Sequence, residues 1–316
     1  MAAPPQRALC AVRRHGMRGV MHAAVQNPPL PPVIDSFAEL APNYDVILCD
    51  VWGVLHNGVA AFAPAADALR RARAAGATVI LVSNAPRPRE GVAKILDGLG
   101  VPRAAYDTIV TSGMVTSALL ADRPGTKFWH LGPERDLGIY DGLDLVFTGL
   151  DEAELIVCTG LFDDTVETPE DYADRLRIAR ERELPFICAN PDIVVERGGD
   201  LIWCAGAIGE AYAALGGDVV FCGKPHPPIY ETALATAGEL RGAEVPPSRV
   251  IAIGDALRTD LAGALGMGIG CLFVAAGIHA GELGLEQGGA IDPRALARLL
   301  ADGPGSPTAV TARLVW

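Results

Sequence analysis

The chain has 316 residues, a formal net charge of −12 and a hydrophobic share of 50%. Its length suggests two domains, or one domain with a large insertion, and its apolar share can fill a sizeable core. An acidic chain with no long basic run argues against a nucleic-acid footprint and against an anionic membrane surface, although a single local cationic site would still suffice to bind a phosphate ester.

Residues 1 to about 35 are rich in Ala, Arg and Pro and carry no acid before Asp35. That composition fits a disordered transit peptide, or a non-native extension from an upstream start codon, since Met17 and Met21 are also available. The stretch lacks an apolar segment, which speaks against secretion, and is expected to lie outside the fold. The cysteines number seven and form no C-x-x-C pair, so neither a disulfide framework nor a zinc knuckle is indicated. They read as small buried hydrophobes in a reducing compartment, and the chain is expected in the cytoplasm.

Short apolar runs follow, each stopping at a polar or glycine-rich turn: residues 45–50, 78–84, 107–113, 155–160, 185–192, 219–226 and 250–255. Continuous runs of this length fit strands buried on both faces, hence parallel strands. Helix-like stretches lie between them. Pro64 to Gly76 has proline near its start, arginines late and a closing glycine, as helix ends prefer. The alternation predicts βαβ units and an α/β fold, a doubly wound parallel sheet of Rossmann-like form. Residues 261–278 carry no charge and reach the lower limit for a membrane span. Gly266, Gly268 and Gly270 interrupt them, so a helix, a glycine turn and a strand are expected instead.

Ligands of such sheets bind beyond the carboxyl ends of the strands. The residues there are Asp50, Ser83, Asn84, Thr111, Ser112, Lys224 and Asp255. No histidine base stands beside a serine, no G-x-S-x-G occurs, and no phosphate loop ends in Gly-Lys-Ser or Gly-Lys-Thr. "GMGIG" follows a helix rather than a strand, which makes it a poor dinucleotide fingerprint. The set suits phosphoryl transfer better. An aspartate at a strand end can attack phosphorus. A lysine can neutralise the nucleophile and the phosphoryl oxygens, a serine hydroxyl can bind those oxygens, and carboxylates supply hard ligands for magnesium. In "GDALRTD", Asp255 follows Gly254 at a strand end and Asp260 comes five residues later, within reach of the same site. A helix cap explains Thr259 or Asp260, but not Asp255 as well.

"DVWGVLHNG", "LVSNAPRP", "GKPHPPIY" and "GDALRTD" resemble, in order, the four motifs of the haloacid dehalogenase (HAD) superfamily. With "TSG" and "ANPD" they look like its type IIA members, the NagD-like and p-nitrophenylphosphatase-like branch. The resemblance runs from about residue 42 to residue 278. It implies a Mg2+-dependent hydrolase. Asp50 would be the nucleophile, Lys224 a catalytic and phosphate-binding residue, Ser83 and Asn84 phosphate ligands, and Asn190 a substrate contact. Asp50, Asp255, Asp260 and the backbone carbonyl of Trp52 would surround the metal. The implied partner is a small phosphorylated substrate, a phosphate monoester such as a sugar phosphate, with no nucleic acid and no membrane. Whether the chain forms a homo-oligomer stays open.

About thirty residues separate Asp50 from Ser83, too few for a cap domain, whereas about 140 separate Ser83 from Lys224, far more than one βα unit needs. An inserted type IIA α/β cap is therefore expected over residues 116–215, within a core of residues 36–115 and 216–300 and before a tail of residues 301–316.

One position departs from the family pattern. Phosphatases of the superfamily carry an aspartate two residues after the nucleophile, which protonates the leaving alcohol and then activates water. Trp52 can do neither, and loss of a general acid–base typically costs about 10²–10⁴ in rate. The chain then reads as a slow or specialised phosphatase that favours leaving groups departing as anions. The alternative is a catalytically impaired protein with a binding or regulatory role. Dehalogenases of the superfamily also lack this aspartate but need no metal, and phosphonate hydrolases need a cap lysine for which the chain has no room. His56 is the candidate replacement acid, against the plainer reading of a hairpin-loop histidine beside Asn57-Gly58. Arg87 could bind a substrate anion, against the plainer reading of a solvated arginine flanked by prolines, and Arg258 reads as solvent-facing or paired with an acid. Trp129, His130 and Trp203 read equally as cap packing, His226 as part of a proline-rich turn, and Asn190 as an Asn-Pro turn.

Overall fold

The computed structural model describes residues 29–197, 200–285 and 289–316. Strand β1 (Val46–Cys49), helix α1 (Ala63–Ala74), β2 (Thr78–Ser83), α2 (Arg89–Gly98) and β3 (Thr108–Thr111) alternate as the apolar runs predict. Helix α3 (Ser112–Ala121) then leads into β4 (Lys127–Leu131), β5 (Val146–Phe147), β6 (Leu155–Cys158), α4 (Ala173–Glu181) and β7 (Phe186–Cys188). A hairpin of β8 (Val194–Arg197) and β9 (Asp200–Trp203) follows, then α5 (Ala205–Ala214) and β10 (Val219–Phe221). The chain returns through α6 (Pro227–Arg241) to β11 (Val250–Gly254), α7 (Ala262–Gly266), β12 (Gly270–Val274), α8 (Pro293–Ala301) and β13 (Ala309–Thr311).

Among the described residues, six strands build the core sheet in the order β13-β12-β11-β1-β2-β3, and five build a cap sheet in the order β10-β7-β6-β4-β5. The ladders of both sheets are parallel. β1 shows why its run is unbroken. Ile47 and Cys49 pack into one apolar layer with Leu69 of α1, while Val46 and Leu48 pack into the other with Ile229 and Tyr230 of α6. Alternate residues thus face two buried layers, and neither face can turn polar. The cap sheet is covered on both sides in the same way. No helix among the described residues is long and apolar enough to cross a membrane. Residues 261–278 resolve into α7, a turn and β12, as the glycines require.

The domain boundaries differ from those expected. The cap elements run from Lys127 to Phe221, because β10 pairs with β7 of the cap rather than with the core. An apolar run does not reveal which of two sheets it will join. Residues 301–316 are no tail: β13 pairs with β12, Leu314 is buried, and Trp316 packs edge-on against Phe37. The core also begins before residue 36, since Ile34 is buried and its N–H donates to Val310 O at 2.8 Å. Residues 1–28 of the expected N-terminal extension lie outside the described residues.

Candidate active site

Asp50 is the first residue past β1, and the ladder fixes its place. Cys49 lies between Leu81 and Ile253, and the Asp50 N–H donates to Ile253 O at 2.8 Å. The Asp50 carboxylate accepts from the Val51 N–H at 2.7 Å. Lys224 enters from the turn before α6 and is 3% exposed. Its Nζ stands 2.5 Å from Asp50 Oδ1 and 2.8 Å from Asp260 Oδ1. Burial alone would lower its pKa, but Asp260 and Asp50 outweigh burial and hold the ammonium charged.

Asp260 belongs to a wide turn in which the Leu261 N–H donates five residues back, to Ala256 O at 3.2 Å. Turns of this width recur at functional sites. Asp260 Oδ2 accepts from the Ala256 N–H at 3.3 Å while Oδ1 takes Lys224, so one carboxylate both caps the turn and holds the lysine.

Asp50, Asp255 and Asp260 present oxygens that all lie within 4.8 Å of one another. Three carboxylates against the one Lys224 ammonium leave two negative charges in excess, the complement of a divalent ion. The backbone is shaped to the same purpose. Gly53, at φ +81°, and Gly277 approach so closely that a Cβ on either would run into the Asp255 carboxylate. The Ile278 N–H donates to Asp255 Oδ2 at 2.8 Å. Burial, with Asp260 adding to it, pushes Asp255 up to about 7. Burial and Asp260 likewise drive Asp50 well above the usual carboxylate range, against the pull of Lys224. A cation relieves that crowding, and the all-oxygen donor set suits a hard one. The cluster could therefore hold a metal ion.

Ser83 closes β2 and lines the cleft above Asp50, its Oγ accepting from the Ala85 N–H at 3.2 Å. Asn84 is committed elsewhere. Its carboxamide takes the Lys224 N–H at 2.7 Å and donates to Lys224 O at 3.1 Å and Asp192 Oδ1 at 2.8 Å. That side chain clamps the lysine's backbone to the junction after β7, which leaves it little capacity for a phosphate. Asn190 lines the same cleft, and its Oδ1 accepts from the Asp192 N–H at 3.1 Å, so the turn and the site position coexist.

Trp52 is half-buried between Asp50 and Gly53, with its ring edge-on to His56 at 5.0 Å. It lines both the cleft holding Ser83, of about 160 Å³, and a wider one of about 620 Å³ on the Asp255 side. His56 is 2% exposed, and its Nδ1 accepts from the Gly58 N–H at 2.9 Å. Burial lowers its pKa to about 4, so the ring is neutral near pH 7.

Several neighbours carry, in sequence, only an even or a plainer reading, or no local signal. Arg87 is no solvated arginine: its Nε donates to the buried Asp136 at 2.9 Å and its side chain lines the cleft. The Thr111 hydroxyl donates to Arg87 O at 2.6 Å and so pins that loop. Asp192, the last residue of "ANPD", also lines the cleft, as do Arg135, Asp164 and Arg197 from cap segments that no local motif marks. Trp203 faces it too, whereas Trp129 packs near Phe162, His130 bonds Thr159, and His226 stacks on Phe221. Arg258 pairs with Glu210 of α5 at 2.7 Å.

Comparison with known proteins bears on this arrangement. A haloacid dehalogenase-like hydrolase model matches residues 47–145, and an HAD-hydrolase-like model matches residues 221–302. A crystal structure of a hydrolase of the haloacid dehalogenase-like family from Brucella suis 1330 is 49% identical; the match covers 89% of this chain and 100% of that one, with a TM-score of 0.80. A possible sugar phosphatase of the HAD superfamily from Cytophaga hutchinsonii is 21% identical, with 90% and 98% covered and a TM-score of 0.73. A p-nitrophenyl phosphatase from Archaeoglobus fulgidus is 22% identical, with 86% and 97% covered and a TM-score of 0.65. These last two share the fold. No curated protein matches the chain. The aspartate–lysine cluster at the edge of a parallel sheet and a relative identical at nearly half of its positions lead to one assignment: the chain belongs to the haloacid dehalogenase-like hydrolase family.

Proposed function

We propose that this hydrolase is a magnesium-dependent phosphatase acting on small phosphate monoesters through an aspartyl-phosphate on Asp50. The observation that carries the reading is the Lys224 ammonium, buried and shared at 2.5 and 2.8 Å between Asp50 and Asp260. A carboxylate so placed is screened enough for a phosphoryl dianion to approach it. Ser83 would hold a phosphoryl oxygen, Lys224 would offset the charge that develops on the transferred group, and Asn190 would meet the rest of the substrate. Asp50, Asp255, Asp260 and the Trp52 carbonyl would hold Mg2+, which when bound offsets negative charge on the phosphoryl oxygens. A sugar phosphate is a reasonable substrate given the Cytophaga hutchinsonii neighbour. The six cysteines of the described residues are free and buried, which fits a reducing, cytoplasmic setting. We place nucleic acid and membranes outside its partners.

Proton supply sets the expected preference. Trp52 has no titratable group, and His56 is neutral at pH 7 with a pKa of about 4. Leaving groups that depart as anions, such as aryl and acyl phosphates, should therefore react fastest. The same observation favours a second reading, a chain that binds phosphate compounds without turnover. The test is magnesium-dependent phosphate release from p-nitrophenyl phosphate, acetyl phosphate and a sugar-phosphate panel, with Asp50→Asn as control. Release that needs Asp50 and magnesium supports the phosphatase. Silence on the whole panel, from folded protein that binds magnesium and phosphate, supports the binding role.

A further inference from the structure

The cleft above Asp50 ends in a second charged group that the phosphoryl chemistry does not use. Arg135 follows β4, Asp164 lies in the loop after β6, and Arg197 closes β8. Asp164 Oδ2 takes Arg135 Nη2 at 2.5 Å and Arg197 Nη2 at 3.1 Å. The acid is covered, its side chain only 8% exposed, while the two arginines keep 46% and 42% of theirs exposed. All three line the cleft that Asp50 and Ser83 also line. The other arginine there, Arg87, is paired with Asp136. Two guanidiniums over one carboxylate carry one net positive charge into the cleft.

We propose that Arg135 and Arg197 bind a carboxylate on the substrate, so that among phosphate monoesters with the same kind of leaving group the preferred one carries a carboxylate at its far end. The proposal rests on the phosphatase reading above. Guanidinium forks match a planar carboxylate; Arg135 gives Asp164 one donor and Arg197 gives it two, at 3.1 and 3.4 Å, and each guanidinium carries further N–H groups. One net positive charge complements a carboxylate more closely than a second phosphate dianion. The competing account is a plain ion bridge that staples the β8–β9 hairpin to the cap, which would leave selectivity between substrates untouched.

The test compares kcat/KM for 3-phosphoglycerate and glycerol 3-phosphate, which differ by a carboxylate against a hydroxymethyl group. The wild-type protein should favour the acid by about 10–100-fold, the worth of a charge-assisted hydrogen bond. Arg135→Gln and Arg197→Gln should each bring that ratio toward one, and Arg135→Lys should restore part of it. The ratio cancels any general loss of folded enzyme. A wild-type ratio near one, or a ratio that survives both glutamine variants, overturns the proposal. Preference for propane-1,3-diol bisphosphate over 3-phosphoglycerate overturns the carboxylate assignment. If p-nitrophenyl phosphate and both esters are inert, the phosphatase reading fails by itself, and calorimetry on Asp50→Asn protein decides the anion site. Binding of 3-phosphoglycerate at least tenfold tighter than glycerol 3-phosphate, lost in Arg197→Gln, upholds it, and equal binding ends it.

Discussion

Lys224 is where the opposing charges of the site meet, since a buried ammonium separates two buried carboxylates. Removing it would strand Asp50 and Asp260 without a counter-charge. Lys224→Met should cost about 3–5 kcal/mol in metal-free protein, as broken buried pairs do, read from urea unfolding in a chelator; a loss under about 1 kcal/mol would show the pair to be solvated. His56 supports a second prediction. Its pKa of about 4 keeps it from acting as an acid near neutrality, so His56→Gln should lower kcat by less than about tenfold. A drop of about a hundredfold or more would make it the missing proton donor. Asp50, Ser83 and Asp255 were legible because each ends or follows a buried run at the same edge of the core sheet, whereas Lys224 follows β10 of the cap sheet and was legible through its motif. Asn84 was legible as a site position but not as a clamp, because Lys224 and Asp192 meet it only in three dimensions. Arg135, Asp164 and Arg197 carried no local signal, since loops about thirty residues apart converge only once the cap has folded.

At the scale of elements, the turns after β1 and β12 matter more than the strands that carry them. Gly53 and Gly277 let both backbones close on Asp255. Gly277→Ala should keep the secondary structure and weaken magnesium binding by about 10–100-fold, the range seen when groups around metal ligands are disturbed. Calorimetric titration reads this directly, and undiminished affinity would place the ion elsewhere. Strands β1, β2 and β11 were plain from continuous apolar runs. β13 was not, because three residues after a proline–glycine stretch make too short a pattern. The placement of β10 failed for a different reason, as an apolar run reports burial and not the neighbour that provides it.

Across the whole molecule, a few polar contacts register cap against core: Asn84 with Asp192, Arg87 with Asp136, and Arg258 with Glu210. Stability should also depend on pH through the buried histidines. Burial holds His56 and His130 near 4, below the ordinary 6.5. As pH falls from 6.5 toward 4 the unfolded chain takes up protons that the folded one refuses, so the histidine share of stability is full above 6.5 and declines through that window. The raised Asp50 and Asp255 carboxyls pull the other way over this window, so the histidine share is read as a difference: between pH 7 and pH 5 the urea midpoint of His130→Gln should shift upward relative to that of the wild type. No relative shift in that variant would mean that His130 titrates normally.

The central claim is that Asp50 carries the phosphoryl group. Its most direct test is peptide mass mapping of protein quenched and borohydride-reduced after mixing with acetyl phosphate and magnesium. The account predicts a phosphoryl-derived modification at Asp50, absent without magnesium and absent in Asp50→Asn. Phosphate release with Asp50 unmodified, or release undiminished in Asp50→Asn, would contradict it.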